Sequence, residues 1–225
     1  MVTITKTLTN KWFVCFSCDN VPQKLLPKMN KSIGIDVGCE SFLTTSDGVK
    51  IANPRFLKQS EEKLKRQQSA LSRKKKGSNR RKKAKLLVAK THEKIANQRR
   101  DFQFKVVNLL VKNHDTICIE DLKSWNSFRS MNKSMRDVSW FQFFNILLFK
   151  AAEAGREVIK VPAGRTSQIC SSCGKEVPKD LSVRTHNCPY CHLVIDRDVN
   201  AALNILRLGM SLQGSLRFSH PEKSR

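Results

Sequence analysis

Four cysteines in two Cys-x-x-Cys pairs, Cys170 with Cys173 and Cys188 with Cys191, constrain this chain more than any other feature. Each pair closes a tight knuckle that presents two thiolates to one ion, and Gly174 and Pro189 suit such turns. Tetrahedral sulfur ligation selects Zn²⁺, and four thiolates leave no open position for water, so the zinc is structural. His186 and His192 are near enough in sequence to rival the cysteines, but with four thiolates present they read as solvated or outer histidines. Two disulfides are the competing arrangement, disfavoured in a chain without a secretion signal. The metal stiffens a segment too small to hold itself together, giving Arg165, Lys175 and Arg184 a firm platform.

The 225 residues carry 42 Lys and Arg against 19 Asp and Glu, a net charge of +23 and a pI near 10.1. Such an excess points to a polyanionic partner, with nucleic acid first. It is densest in SRKKKGSNRRKKAK, where Arg73, Lys74, Lys75, Lys76, Arg80, Arg81, Lys82, Lys83 and Lys85 crowd one helical connection. A solvated helix face is the plainer reading of a charge run; here the self-repulsion calls for an external anion. No apolar run approaches the roughly 20 residues of a membrane span, and MVTITKTLTN lacks a signal-peptide core, so the chain reads as soluble and intracellular.

VTITKTL and KWFVCFSCD form a predicted hairpin in which Cys15 and Cys18 read as buried free cysteines. Strands are expected around Asp36, over Ser41 to Thr45 and over Val49 to Ala52, with a turn at Ser46-Asp47-Gly48. Leu57 to Lys112 is proline-free and helix-forming, interrupted only around Gly77-Ser78-Asn79, which gives two long helices. The second has an anchoring stripe of Leu86, Leu87, Ile95, Phe102, Val106, Leu109 and Leu110. TICIEDLK reads as a buried strand, Val138 to Ala154 as a helix stopped by Gly155, and EVIKVP as a further strand. The order β-β-β-α-α-β-α-β argues an α/β fold with one mixed sheet flanked by helices. In the intervening loop Trp125 and Phe128 can stack on bases or plug the core. The end, SLQGSLRFSHPEKSR, reads as a flexible tail.

Three acids sit in or against apolar elements: Asp36 inside SIGIDVGC, Glu120 at the end of TICIE, and Asp198 where a β-branched run gives way to a helix. A charge buried so costs several kcal/mol unless paired or metal-bound. Clustered carboxylates repel, and a divalent ion removes the conflict; hard oxygen ligands and phosphate substrates favour Mg²⁺ or Mn²⁺. Two ions roughly 4 Å apart can cut a phosphodiester. Each acid has a plainer role too: Asp198 as a helix cap, Asp36 as a turn residue, Glu120 as a lysine's partner, with Asp121 an alternative to it.

IGIDVG, IEDL, CSSCG with CPYC, and DRDVNAALNI, in that order, resemble the C-terminal half of the TnpB (OrfB) transposon-encoded nucleases, relatives of type V CRISPR effectors. The resemblance runs from about Lys11 to Leu206. It implies an RNase H-like (RuvC) nuclease with an inserted zinc ribbon, and Asp36, Glu120 and Asp198 as ligands of catalytic Mg²⁺ or Mn²⁺. Arg184 resembles a family arginine that steadies the scissile phosphate. The implied organisation is a residual wedge-type hairpin and linker over 1–28 and a first RuvC part over 29–164 with a basic helical insertion at 57–112. The ribbon over 165–194, the last RuvC segment over 195–210 and the tail over 211–225 complete it.

The implied partners are DNA target and guide RNA, at the nucleoid in a prokaryotic cytoplasm, with no membrane. The family's recognition lobe and most of its wedge are not found, so a protein partner supplying that lobe, or self-association, is expected. The alternative is a non-cleaving nucleic-acid-binding or regulatory fragment.

Overall fold

The computed structural model describes residues 1–22, 24–121, 138–162, 164–180 and 182–219. The loop WNSFRSMNKSMRD, with Trp125 and Phe128, lies outside them. The chain divides into two compact units, Met1–Gln23 with Arg55–Val106, and Lys24–Pro54 with Val107–Arg225.

In the first unit β1 (Val2–Lys6) and β2 (Trp12–Phe16) form an antiparallel hairpin, joined by residues 7–11 rather than by Thr9-Asn10 alone. Every residue of both strands is exposed, and among the described residues no second layer covers either face of this two-stranded ribbon. Cys15 and Cys18 are therefore exposed, not buried as expected. Helix α1 (Phe56–Ser72) and helix α2 (Asn79–Asn113) follow, broken near Gly77 as the sequence indicates. Thr91 donates to Gln67 Oε1 at 2.7 Å and the Phe56 ring meets Phe102 edge-on, so the two helices face each other. Glu93 accepts from Thr9 at 2.9 Å and Lys11 at 3.0 Å, tying the hairpin turn to α2. Of the predicted stripe, Ile95, Val106 and Leu110 are buried, but Leu87 and Leu109 stay 54% and 55% exposed. Leu109 stands about 100° round the helix from Leu110, and Leu86 and Val88 take the partly buried places beside Leu87.

The second unit holds a five-stranded sheet in the order β5 (Lys50–Ala52), β4 (Ser41–Thr45), β3 (Ser32–Val37), β6 (Thr116–Asp121), β7 (Glu157–Pro162). β5, β4 and β3 form the antiparallel meander; β3, β6 and β7 are parallel. This is the mixed sheet the element order predicts. Ile33, Ile35, Leu43, Ile117, Ile119 and Val161 are its buried core. Helix α3 (Trp140–Glu153) buries Trp140, Phe143 and Leu147, and Phe143 meets Phe42 of β4 edge-on at 5.0 Å. Gly155, with φ 68°, ends it as expected.

A short ribbon, β8 (Thr185–Asn187) with β9 (Val194–Asp196), leads into helix α4 (Arg197–Ser219). The stretch expected to be a flexible tail from Ser211 is thus helical to Ser219, held by buried Gln213, which donates to Glu157 at 2.5 Å. α4 crosses β3, β6 and β7 at very close range. A Cβ on Gly34 would stand 2.1 Å from the Ala202 carbonyl oxygen, and one on Gly209 2.3 Å from Cys118 Sγ. No helix among the described residues is long and apolar enough to cross a membrane.

Candidate metal centres

Side chains alternate along a strand, so Asp36 shares a face with Gly34, and Glu120 with Cys118. Gly34 and Cys118 are the residues that α4 presses on, so both acids emerge on the face that helix covers. β3 and β6 run parallel with Ile35 opposite Ile119, which sets Asp36 and Glu120 at the same level on neighbouring strands. Asp198 lies in the first turn of α4, one turn before Ala202. Asp121 points to the opposite face from Glu120 by the same alternation.

The electrostatics follow. Burial pushes the Asp36 carboxyl up from 3.8 to about 8, with Glu120 and then Asp198 adding repulsion; Arg197 and the Val37 N–H oppose this only in part. An acid so placed fits a site completed by a cation, and three carboxylates offer the hard oxygen donors that Mg²⁺ or Mn²⁺ prefer.

The two acids of DRD divide their labour. Asp196 Oδ1 accepts from the N–H groups of Asp198 at 3.0 Å and Val199 at 3.2 Å, capping α4, while Oδ2 takes the Lys50 ammonium at 2.7 Å. Burial alone would raise its carboxyl, but Lys50 and those N–H groups hold it below the usual range. Asp198 is thereby relieved of capping. Arg184 reaches toward it, Nη1 3.9 Å from Asp198 Oδ1, with Nη2 2.5 Å from Glu40 Oε2.

Several partners escape sequence reasoning. Thr166, buried beyond β7, donates to Glu120 Oε1 at 2.5 Å. Asn204 donates to the carbonyls of Thr166 at 2.9 Å and Ile169 at 2.7 Å, and Asn200 to Ile169 at 2.7 Å while accepting from Ser171 N–H at 2.9 Å. Two asparagines four apart on an alanine-rich helix are the signal for this: one helical face grips the first knuckle while its N-terminal turn carries Asp198.

Cys170, Cys173, Cys188 and Cys191 offer four sulfurs all within 4.8 Å of one another, an arrangement that could hold a metal ion. The Cys170–Cys191 and Cys173–Cys188 sulfurs are each 3.6 Å apart, far beyond the roughly 2.05 Å of a disulfide. Against burial, the Cys191 and Tyr190 N–H groups bring the Cys188 thiol down to about 6. The Lys175 N–H favours the Cys173 thiolate, but burial and the neighbouring sulfurs push it up to about 11. The first thiolate forms readily and the cluster resists further charge, which a soft divalent cation resolves. Neither His186 nor His192 joins the four.

Of the basic run, Arg73, Lys74, Lys75, Lys76, Arg80, Lys82, Lys83 and Lys85 are exposed. Arg81 is partly buried instead, donating to the carbonyls of Leu71 at 3.1 Å and Lys74 at 2.9 Å, so it braces the turn between α1 and α2.

The mixed sheet, the convergent acids and the cysteine ribbon define an RNase H-like α/β protein with an accessory cysteine module. Residues 15–131, just over half of the chain, match the OrfB_IS605 family, described as "Probable transposase", and the chain belongs to that family. Residues 140–205 match a "Cas12f1-like, TNB domain". A Streptomyces pristinaespiralis protein named "Putative RNA-guided DNA endonuclease" is 36% identical over 214 residues, 93% of this chain and 53% of that protein. Escherichia coli K12 "Putative RNA-guided DNA endonuclease InsQ" is 32% identical over 92% of this chain and 56% of its own. The chain therefore spans about half the length of these curated relatives. Among solved structures, Cas12f1 in its sgRNA–target DNA complex superposes with a TM-score of 0.57 at 22% identity, over 91% of this chain and 55% of that one, a likeness of fold.

Proposed function

We propose that this chain carries the nuclease centre of an RNA-guided effector and cuts DNA with Mg²⁺ or Mn²⁺ held by Asp36, Glu120 and Asp198. The observation that supports this most is the Asp36 carboxyl, pushed up to about 8 by burial and by the other two acids. When bound, the cations supply activation of water and charge neutralisation at the phosphodiester. Asp36 and Glu120 provide ligands from a rigid sheet, Thr166 fixes the Glu120 rotamer, and Asp196 caps α4 so that Asp198 stays free. Arg184, braced by Glu40, is within reach of a phosphate oxygen beside Asp198. The four cysteines hold a structural zinc that keeps Arg184 in place, since Arg184 directly precedes β8, whose antiparallel partner β9 leads into α4.

The eight exposed cations of the α1–α2 connection bind nucleic-acid backbone. Guide binding and target search are assigned to surface outside these residues, on a further segment, a protein partner or a second copy; the relatives' names support an RNA guide and a DNA target. The site of action is a prokaryotic cytoplasm, at the nucleoid. A binding or regulatory fragment that does not cut is the second reading, favoured by the same basic connection.

The test is purification from the native host with neighbouring genes present, sequencing of the RNA and identification of any protein that co-purifies, then cleavage of matching DNA. Mg²⁺-dependent products lost in Asp36→Ala and Asp198→Ala, with binding and zinc content retained, are expected. Products that survive both substitutions refute the site; salt-sensitive binding without products under any guide gives the second reading.

A further inference from the structure

Arg184 stands between two carboxylates. Its Nη2 lies 2.5 Å from Glu40 Oε2, while Nη1, at 3.9 Å from Asp198 Oδ1, stops short of a hydrogen bond. One guanidinium therefore spans from a proposed metal ligand to an acid that has no place among the ligands. Both members of the Glu40 pair are set by their backbones. Glu40 lies in the turn after β3, where the Gly38 N–H meets the Phe42 carbonyl at 3.4 Å and the Cys39 carbonyl accepts from Asn53 Nδ2 at 2.9 Å. On the ribbon side the Arg184 carbonyl accepts from the Arg197 N–H at 2.8 Å, and the Arg197 guanidinium donates to the carbonyls of Asp180 at 3.3 Å and Val183 at 3.4 Å. An exposed ion pair ordinarily loses most of its Coulomb gain to the entropy of fixing two long side chains and to screening. Here the backbones are fixed in advance, so less is lost. The side chains, 55% and 63% exposed, nevertheless stay open to exchange with an anion from solvent.

We infer that Glu40 is a latch on Arg184: it holds the guanidinium beside Asp198 until a DNA phosphate displaces it, and only then does Arg184 engage the strand. This rests on the nuclease reading of the acids. A phosphate presents oxygens to the guanidinium fork much as a carboxylate does, so the two anions compete for the same donors. Before the exchange, the Glu40–Arg184 pair offers an incoming strand no net charge. A strand that meets the site by chance thus gains little from Arg184, whereas one already held elsewhere along its backbone reaches the exchange at high local concentration. Glu40 thereby sets a threshold against cutting loosely bound DNA. It acts through Arg184 and is a positioning residue.

Phenylglyoxal modification of Arg184, read by peptide mass spectrometry on the full chain without Mg²⁺ or Mn²⁺, tests the latch with no cleavage required. Glu40→Gln is expected to speed modification of Arg184 in the absence of DNA. It should also lower by about fivefold the concentration of a single-stranded oligonucleotide that protects Arg184, the upper end for an exposed ion pair. Arg73 and Arg80, exposed on the basic connection, report general binding and should be protected at the same concentration in both proteins. An Arg184 that the oligonucleotide never protects overturns the inference. So does a midpoint equal in wild type and Glu40→Gln, or a shift that Arg73 and Arg80 share. Single-turnover cleavage of matching DNA then separates a latch from plain repulsion by Glu40. Glu40→Gln should speed cutting at limiting DNA by a similar factor in the wild-type background and change nothing in the Arg184→Ala background; an equal gain in both overturns the inference. A wild-type chain that cuts under no guide refutes the nuclease reading alone, and the protection midpoints still decide the latch.

Discussion

Replacing Asp36 with Asn is expected to stabilise the metal-free protein while abolishing its response to Mg²⁺. The Asp36 carboxyl is raised from 3.8 to about 8 by burial first, then by Glu120 and Asp198. In the unfolded chain the same group ionises near its ordinary value, so between those limits the unfolded chain gives up a proton the folded one keeps. This contribution to stability is full below pH 3.8 and is lost as pH rises toward 8, the reverse of a salt-bridged carboxylate. At pH 7, about 1.4 kcal/mol for each pH unit above 3.8 gives a ceiling of about 4 kcal/mol. Partial solvent access and the high effective dielectric of protein sites reduce the expected difference to about 1–2 kcal/mol.

The assay is urea unfolding of wild type and Asp36→Asn in chelator, from pH 4 to pH 8, followed by amide exchange at Ile117 and Ile119 in the adjoining strand. The variant's advantage should be near zero at pH 4 and grow steadily with pH. Adding Mg²⁺ at pH 8 should raise the wild type and leave the variant unmoved, because a ligand stabilises only the state that binds it. A constant difference across the pH range, or a variant less stable at pH 8, would refute the placement of three mutually repelling acids around Asp36.

Cys188→Ser should lose its bound metal on gel filtration and raise amide exchange across residues 168–196, while Ile117 and Ile119 keep wild-type protection, since the ribbon and the sheet have separate cores. DNA affinity should fall with salt at a log–log slope of roughly −5, and replacing Lys74, Lys75 and Lys76 with Gln should flatten it by about 2–3; an unchanged slope would remove the basic connection from the interface. Gly34→Ala should cost about 3 kcal/mol or more, read as a fall in unfolding midpoint, because its Cβ would stand 2.1 Å from the Ala202 carbonyl oxygen and α4 would have to lift.

What could be read from the sequence was what local chemistry dictates. Cysteine spacing gives the sulfur cluster, and the helix break at Gly77 and the stop at Gly155 appear where glycine punctuates helical sequence. Asp36 stood out because an acid inside an apolar strand is costly anywhere. That Glu120 stands level with Asp36 on the neighbouring strand follows from the parallel register of β3 with β6, which no single segment encodes. The same holds for exposure: Cys15 looks like a core residue until its hairpin strand proves exposed along its length, and Arg81 looks like its basic neighbours until its guanidinium is found on two carbonyls.

The division of roles around α4 shows why the site resists piecewise reading. Asp196 spends its carboxylate on the helix cap and on Lys50, which leaves Asp198 free to face Asp36. Asn200 and Asn204, one and two turns further along, grip the knuckle that carries Cys170 and also fix Thr166, the donor to Glu120. The ribbon, the third acid and the orientation of the second acid are thus linked through one helix, itself held to the sheet by the absence of a side chain at Gly34 and Gly209. A substitution that loosens the cysteine cluster is transmitted to Glu120 through Asn204 and Thr166 without touching an acid. Metal loss at the ribbon should therefore weaken Mg²⁺ binding at the acids even where the sheet itself stays folded, which calorimetric titration of the zinc-stripped chain can measure.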